Sequence, residues 1–176
     1  MVNKMNIILK PLEPCELELF RNEMKKSFEQ GVLERFGNIS AAPTPPTNEV
    51  DFALKDATVD VFLLMFDNVP VGGTIIKREN NNKFSLDLFF IFKDYLNKKL
   101  GSAAWQAIEA NYPKAELWET HTPYFERRNI HFYVNKCGFK IVEFFSEFHK
   151  EEHDITEEFK DINTSDFSRF EKRIKQ

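Results

Sequence analysis

No stretch of this chain approaches the roughly 18 consecutive apolar residues of a membrane span, and Met1 to Lys10 has neither the apolar core nor the cleavage site of a secretory signal. A cytoplasmic location with no membrane partner is therefore expected. Basic charge is not in surplus: 24 Lys and Arg stand against 28 Asp and Glu, a formal net charge of -4. Such a balance lacks the footprint of nucleic-acid binders, and no nucleic-acid partner is expected. Cysteine is scarce, and Cys15 and Cys137 form no metal-type spacing. In a chain without an export signal a lone pair of this kind stays reduced, so neither a redox role nor a metal is assigned. Repeats and linkers are missing too, and 176 residues are expected to form one domain, 1–176. What the chain has is phenylalanine, 19 in all, within a hydrophobic share of 42% that can bury a sizeable core.

Met5 to Leu12 reads as a first strand, interrupted by Pro11 and Pro14. Leu17, Phe20, Met24 and Phe28 recur at near-helical spacing, with Pro14 suited to the first turn and Gly31 or Gly37 to the end. Ala41 to Asn48, with its three prolines, is expected to be a loop, and Glu49 to Asp56 a short helix. Val59 to Phe66 and Val69 to Lys77 form a hairpin about Asp67-Asn68, with Gly72-Gly73 early in its second arm, and the asparagines at 80 to 82 make the next turn. Phe84 to Phe92 is apolar on both faces, which places it in the middle of a sheet. Leu100, Ala103, Ala104, Ala107 and Ile108 form a helix stripe, with Asn97 as N-cap and Pro113 as stop. After a strand from Ala115 to His121, Ile130, Tyr133, Val134 and Cys137 recur at i, i+3, i+4 and i+7 ahead of a C′ glycine, Gly138. Lys140 to Phe148 is expected to be a strand, Lys150 to Asp161 an acidic loop, and Phe170, Lys172 and Ile174 a short final strand.

This order implies an α/β (α+β) fold: a mixed, mostly antiparallel, twisted sheet of about seven strands, flanked by helices, with a central parallel pair around a crossover helix. The turn Leu96-Asn97-Lys98-Lys99-Leu100-Gly101-Ser102 joins a strand to that helix. Free N–H groups of a first helical turn, with the positive end of the dipole, make an anion site wherever side chains leave the approach open. Gly101 and Ser102 keep it open, and Lys98 or Lys99 adds charge. Taken alone, a glycine near a helix start is more often a packing or turn residue.

The stretch Phe89-Phe90-Ile91-Phe92-Lys93-Asp94-Tyr95, the turn after it, and Phe132-Tyr133-Val134-Asn135-Lys136-Cys137-Gly138-Phe139 together resemble the GCN5-related N-acetyltransferases. That family's acetyl-CoA signature reads Gln or Arg, two residues, Gly, one residue, then Gly or Ala; Gly101 matches its last position, while Leu96 and Lys99 depart from the first two. The resemblance implies a GNAT-like sheet, acetyl-CoA as cosubstrate, pyrophosphate held by Leu96 to Ser102, and pantetheine against the backbone of Phe89, Phe90 and Ile91. It also makes Tyr133 the acid that protonates the departing thiolate, a task suited to a phenol of pKa about 10. The competing reading is that Tyr133, on an apolar stripe, only packs. Asn129, where the family often has alanine, either holds pantetheine or is simply exposed.

A base must take a proton from the attacking ammonium, and the sequence offers three groups. Glu119 and His121 share one face of their strand, with Glu119 favoured as base or amine anchor and His121 as its neighbour. Asp87, a charge on a strand expected to be buried, is the alternative. Strand-end polar groups satisfied by backbone or water would look the same. His149-Lys150-Glu151-Glu152-His153 matches an inverted zinc-protease spacing but lacks an apolar stripe, so no metal is assigned. The expected function is acetyl transfer from acetyl-CoA to a primary amine of a small-molecule acceptor, by direct attack in a ternary complex. A catalytically silent coenzyme A-binding module and a protein N-terminal or lysine acetyltransferase are the alternatives, and a homodimer stays open.

Overall fold

The computed structural model describes residues 5–38, 48–150 and 166–174. Seven strands form one sheet: β1 (Ile7–Pro11), β2 (Val59–Phe66), β3 (Val69–Arg78), β4 (Lys83–Ile91), β5 (Leu117–Pro123), β6 (Lys140–Phe145) and β7 (Phe167–Arg173). They lie in the order β1-β2-β3-β4-β5-β7-β6. Only β4 and β5 are parallel; every other neighbouring pair is antiparallel. This is the mixed sheet with a central parallel pair that the element order implies. Among the described residues no helix is long and apolar enough to cross a membrane.

The hairpins follow from their turn residues. Asp67 and Asn68 both have positive φ, 49° and 64°, as do Asn81 and Asn82 at 59° and 56°. Two consecutive left-handed residues match the twist of paired strands, and Asn and Asp tolerate that region best. The first helix, α1 (Leu17–Phe36), passes through Gly31 and stops at Gly37, which takes φ 68°. A short α2 (Glu49–Ala53) follows the proline-rich segment, most of which lies outside the described residues.

Both faces of the sheet are covered. On one, Phe20 and Met24 of α1 and Val50 and Ala53 of α2 pack on Val61, Leu63, Ile75 and Phe90. On the other, α3 (Leu100–Asn111) and the helix after β5 bury Trp105, Ile108, Tyr133, Cys137 and Phe139 against Ile76, Leu86, Trp118 and Phe170. That last helix begins as α4 (Arg127–His131) and widens into a π-helix over Phe132–Cys137. Gly138, at φ 82°, closes it, and the Tyr133 carbonyl accepts the Phe139 N–H at 2.9 Å. Near-helical apolar spacing predicts this segment but not the wider turn, since both helix types place an apolar stripe on the sheet.

Three expectations change. Asn97 does not cap α3; the N-cap is Lys99, and neither makes a side-chain cap bond there. The strand expected from Lys140 to Phe148 stops at Phe145, where Ser146 and His149 bridge a turn. The final strand starts earlier than the alternation at Phe170 to Ile174 shows and inserts between β5 and β6. The acidic loop and His153 fall outside the described residues apart from Lys150.

Candidate active site

The site begins where two strands part. Parallel pairing of β4 with β5 ends at Leu86 with Thr120, although β4 runs on to Ile91 and β5 to Pro123. The Thr120 hydroxyl donates to the Leu86 carbonyl at 2.8 Å, fastening the apex of the opening. Asp87 is why β4 turns away. In the register with β3, Ile76 faces Leu86 and Ile75 faces Leu88, so Asp87 is an extra residue. A bulge of this kind bends its strand and re-aims the side chain.

Beyond the bulge the backbone of β4 borders the gap. Phe92 N–H donates to Val71 O at 2.8 Å, and the alternation of an antiparallel ladder then turns the N–H and C=O of Ile91 and Phe89 away from β3. Ser27 of α1 donates to the Ile91 carbonyl at 3.1 Å. Phe90 differs: its backbone faces β3, and its ring packs edge-on to Phe20, centroids 5.2 Å apart. The gap widens into a slot of about 300 Å³ whose wall includes Phe89, Ile91, Thr120, Asn129 and Tyr133.

A second cavity of about 310 Å³ opens off the slot at the turn before α3, bounded by Leu96, Asn97, Lys99, Leu100, Gly101 and Ser102. Leu100, Gly101 and Ser102, the first-turn residues of α3 whose N–H groups have no partner within the helix, are among those that border it. Lys99 has φ 60° and Asn97 φ 63°. A left-handed conformation costs a non-glycine residue roughly 1–2 kcal/mol, which explains why glycine suits the place Lys99 occupies. Lys98 turns aside, its ammonium 4.9 Å from the Tyr95 ring centroid. Gly101 is small for a second reason. A Cβ there would stand 3.2 Å from the ring of Phe132, which stacks on Phe89 with centroids 5.4 Å apart.

Tyr133 reaches the slot from the π-helix with only 5% of its surface exposed. Burial drives its phenol well above the ordinary value, with a further push from Cys137 and partial relief from the Thr120 hydroxyl. It is a proton donor throughout the neutral range. Cys137, beside it on the same helix, is itself raised to about 12 by burial.

At the other end of the slot lies a larger cavity of about 710 Å³, and Glu49, Asp87 and His121 border both. Asp87 is thus not a buried strand charge, as its sequence context predicts, but a group open to a cavity. Ser85 donates to its carboxylate. Surrounding protein still removes enough water to raise the Asp87 pKa, against the lowering pull of Ser85, Lys77 and His121. Glu49, at the start of α2, also keeps part of its surface open. Loss of hydration, then repulsion from Asp87, pushes it up to about 7.

Glu119 is placed elsewhere. It shares a strand face with His121, but its carboxylate lies 3.0 Å from Lys83 Nζ and 3.1 Å from Arg169 Nη1, and it borders none of these three cavities. The structure therefore brings Asp87 and His121 together and leaves Glu119 in an ion-pair network with Lys83 and Arg169. His149, the first histidine of the segment that matches a zinc-protease spacing, pairs with Glu143 at 2.9 Å, and among the described residues no cluster suits a metal.

Three residues of the site escape the sequence reading: Glu49, Glu126 and Arg128. None belongs to a motif, and only the fold brings them to the border of the slot. Glu126 lies over Gly31 of α1, where any Cβ would collide with its carboxylate. Burial first, and Glu34 second, push Glu126 up to about 7. A carboxyl raised in the folded state binds its proton more tightly than in the unfolded chain, so stability falls as pH rises from about 4.3, the unfolded value, through about 7. Glu126→Gln is expected to flatten this decline and raise Tm at pH 8 more than at pH 5. Melting curves across that range check it; an unchanged pH slope would show that Glu126 ionises freely in the fold.

The sequence of this chain matches the model of the acetyltransferase (GNAT) family over residues 19–139. It is 39% identical over 179 residues to a Bacillus subtilis (strain 168) protein described as "Uncharacterized protein YrkN", covering 99% of this chain and 97% of that one. The chain belongs to the GNAT acetyltransferase family. Solved structures share the fold: an acetyltransferase from Thermus thermophilus has a TM-score of 0.68 at 16% identity, covering 97% of this chain and 99% of that one. A Bacillus subtilis acetyltransferase in complex with CoA gives 0.64 at 18% identity, covering 98% and 100%. The paia N-acetyltransferase from Thermoplasma acidophilum, in complex with coenzyme A, gives 0.66 at 18% identity, covering 97% and 100%.

Proposed function

We propose that this protein moves an acetyl group from acetyl-CoA to a primary amine by direct attack within a ternary complex. The observation that carries the reading is adjacency: the cavity at the anion-type turn shares Phe89, Ile91 and Asn129 with the slot bordered by Tyr133, and the slot shares Glu49, Asp87 and His121 with the carboxylate cavity. Amides of Leu100, Gly101 and Ser102 would hold the pyrophosphate. Backbone groups of Phe89 and Ile91 would extend β4 onto pantetheine, as a strand edge accepts a peptide, and the Asn129 amide stands beside them. Acetyl-CoA supplies an activated acyl group on sulfur.

The protein's own residues then divide the proton work. A carboxylate at the acceptor end, Asp87 with Glu49 and His121 beside it, takes the proton that makes the amine nucleophilic. As the amine nitrogen bonds to the acyl carbon and the carbon–sulfur bond breaks, Tyr133 gives its hydroxyl proton to the sulfur, and the proton that the nitrogen sheds on becoming an amide restores the phenol. The base role passes from Glu119 to Asp87 because Lys83 and Arg169 already occupy the Glu119 carboxylate. Cationic acceptors suit a cavity whose described lining holds the carboxylates of Glu49, Asp56 and Asp87 against Lys77 and His121.

Amine-dependent thiol release, measured over a panel of small amines, N-terminal peptides and lysine peptides, tests the reading. Coenzyme A binding without thiol release for any of them would instead indicate a binding module without turnover. Gly101→Val probes the pyrophosphate end. Its branched side chain would displace Phe132 and crowd the first-turn amides, and coenzyme A affinity is expected to fall about tenfold or more, some 1.4 kcal/mol. Unchanged affinity by calorimetry would place the coenzyme away from this turn.

A further inference from the structure

Among the described residues, Arg128 is the Lys or Arg that borders both coenzyme-side cavities; Lys99 and Lys136 border only the cavity at the turn. Of the turn's own side chains, Lys99 is the cation at this cavity, beside Asn97 and Ser102. Leu96 is apolar, and Lys98 lies over the Tyr95 ring. Arg128 comes instead from α4, on the far wall of the slot, and reaches across. Its Nη2 donates to Asn97 Oδ1 at 2.8 Å, within the turn, and its Nη1 to Glu34 Oε1 of α1 at 3.2 Å.

We propose that Arg128 is the guanidinium that binds the pyrophosphate of the coenzyme, a residue from α4 adding a planar fork to a turn whose own cation at the cavity is Lys99. The inference rests on the reading that coenzyme A binds at Leu96 to Ser102. A guanidinium presents a planar fork that matches two phosphate oxygens, and the bonds formed are charge-assisted on both sides. The bond to Asn97 orients the fork at the turn. The pair with Glu34 is exposed, 40% and 42% for the two side chains, and such pairs contribute little, so exchanging it for a phosphate is favourable. Glu34 is thus a placeholder that keeps Arg128 extended over the slot until the anion arrives.

Calorimetric titration of the full chain with coenzyme A and with 3′-dephospho-coenzyme A, and ligand-observed NMR with pantetheine, test this. Arg128→Gln is expected to weaken both nucleotides about tenfold, the loss of one charge-assisted contact, and to leave pantetheine binding unchanged. Arg128→Lys should recover part of the loss. Glu34→Gln should bind coenzyme A at least as tightly as the parent, because it frees the guanidinium. If Arg128 were only a strut between α1 and the turn, Glu34→Gln would weaken binding as Arg128→Gln does, and pantetheine would be lost as well. Sensitivity confined to coenzyme A, with 3′-dephospho-coenzyme A unaffected, would move the contact to the 3′-phosphate and overturn the pyrophosphate assignment. A parent protein that binds neither nucleotide would instead overturn the coenzyme reading itself.

Discussion

Tyr133→Phe is expected to lower kcat by about 10²- to 10⁴-fold, the usual contribution of a positioned general acid, while coenzyme A affinity stays unchanged. The hydroxyl matters only as charge develops on sulfur, so its loss removes transition-state stabilisation without touching the ground state. The substitution keeps the ring, and with it the contacts to Phe139 and Phe170 at centroid distances of 5.6 and 5.8 Å. Folding is therefore preserved, which Tyr133→Ala would not ensure, since truncating a buried aromatic costs about 3–5 kcal/mol. Because burial holds the phenol protonated far above neutrality, the parent should show no alkaline loss of kcat from Tyr133 up to pH 9. Thiol release with saturating amine measures both. Equal turnover of mutant and parent would reduce Tyr133 to a packing residue of the Trp105 and Phe139 core.

How far the sequence carries a reader differs between the two halves of this site. The coenzyme side is written in local chemistry: Gly101 in a strand–turn–helix unit, and Tyr133 five residues before Gly138, are both recognisable because turns and helix ends restrict residue type. The gap between β4 and β5 is less direct. It depends on one inserted residue, Asp87, whose place in the strand looks ordinary until its pairing with β3 is known. The acceptor side is nearly illegible. Alternation places Glu119 and His121 on one face correctly, yet cannot say that Arg169, fifty residues on, arrives on β7 to take the Glu119 carboxylate. Glu49, Glu126 and Arg128 are polar residues in helices or at helix starts, where such residues are usually solvated, and only long-range packing turns them toward the slot.

Asp87→Asn is expected to reduce kcat/KM for the amine by at least about 10², while coenzyme A still binds as in the parent. The argument is geometric first. Asp87 stands on the bulge where β4 leaves β5, at the junction of slot and acceptor cavity, and the sheet fixes it more firmly than a loop would. Its raised pKa, set by lost hydration, brings it nearer to the working range of a base. Glu49 shares the junction, and Glu49→Gln should cost about tenfold in kcat/KM, as the amine loses an anionic partner. The two carboxyls are coupled, and this gives a second readout independent of turnover. Repulsion from Asp87 contributes to holding the Glu49 pKa up at about 7, so removing that charge must lower it. In Asp87→Asn the Glu49 carboxyl carbon, followed by NMR against pH, should titrate at lower pH than in the parent. Glu119→Gln supplies the contrast: its carboxylate serves Lys83 and Arg169, so the expected result is a lower Tm with kcat/KM near that of the parent. Should Glu119→Gln abolish turnover while Asp87→Asn retains it, the base belongs to β5, and the acceptor approaches from the ion-pair side of the sheet.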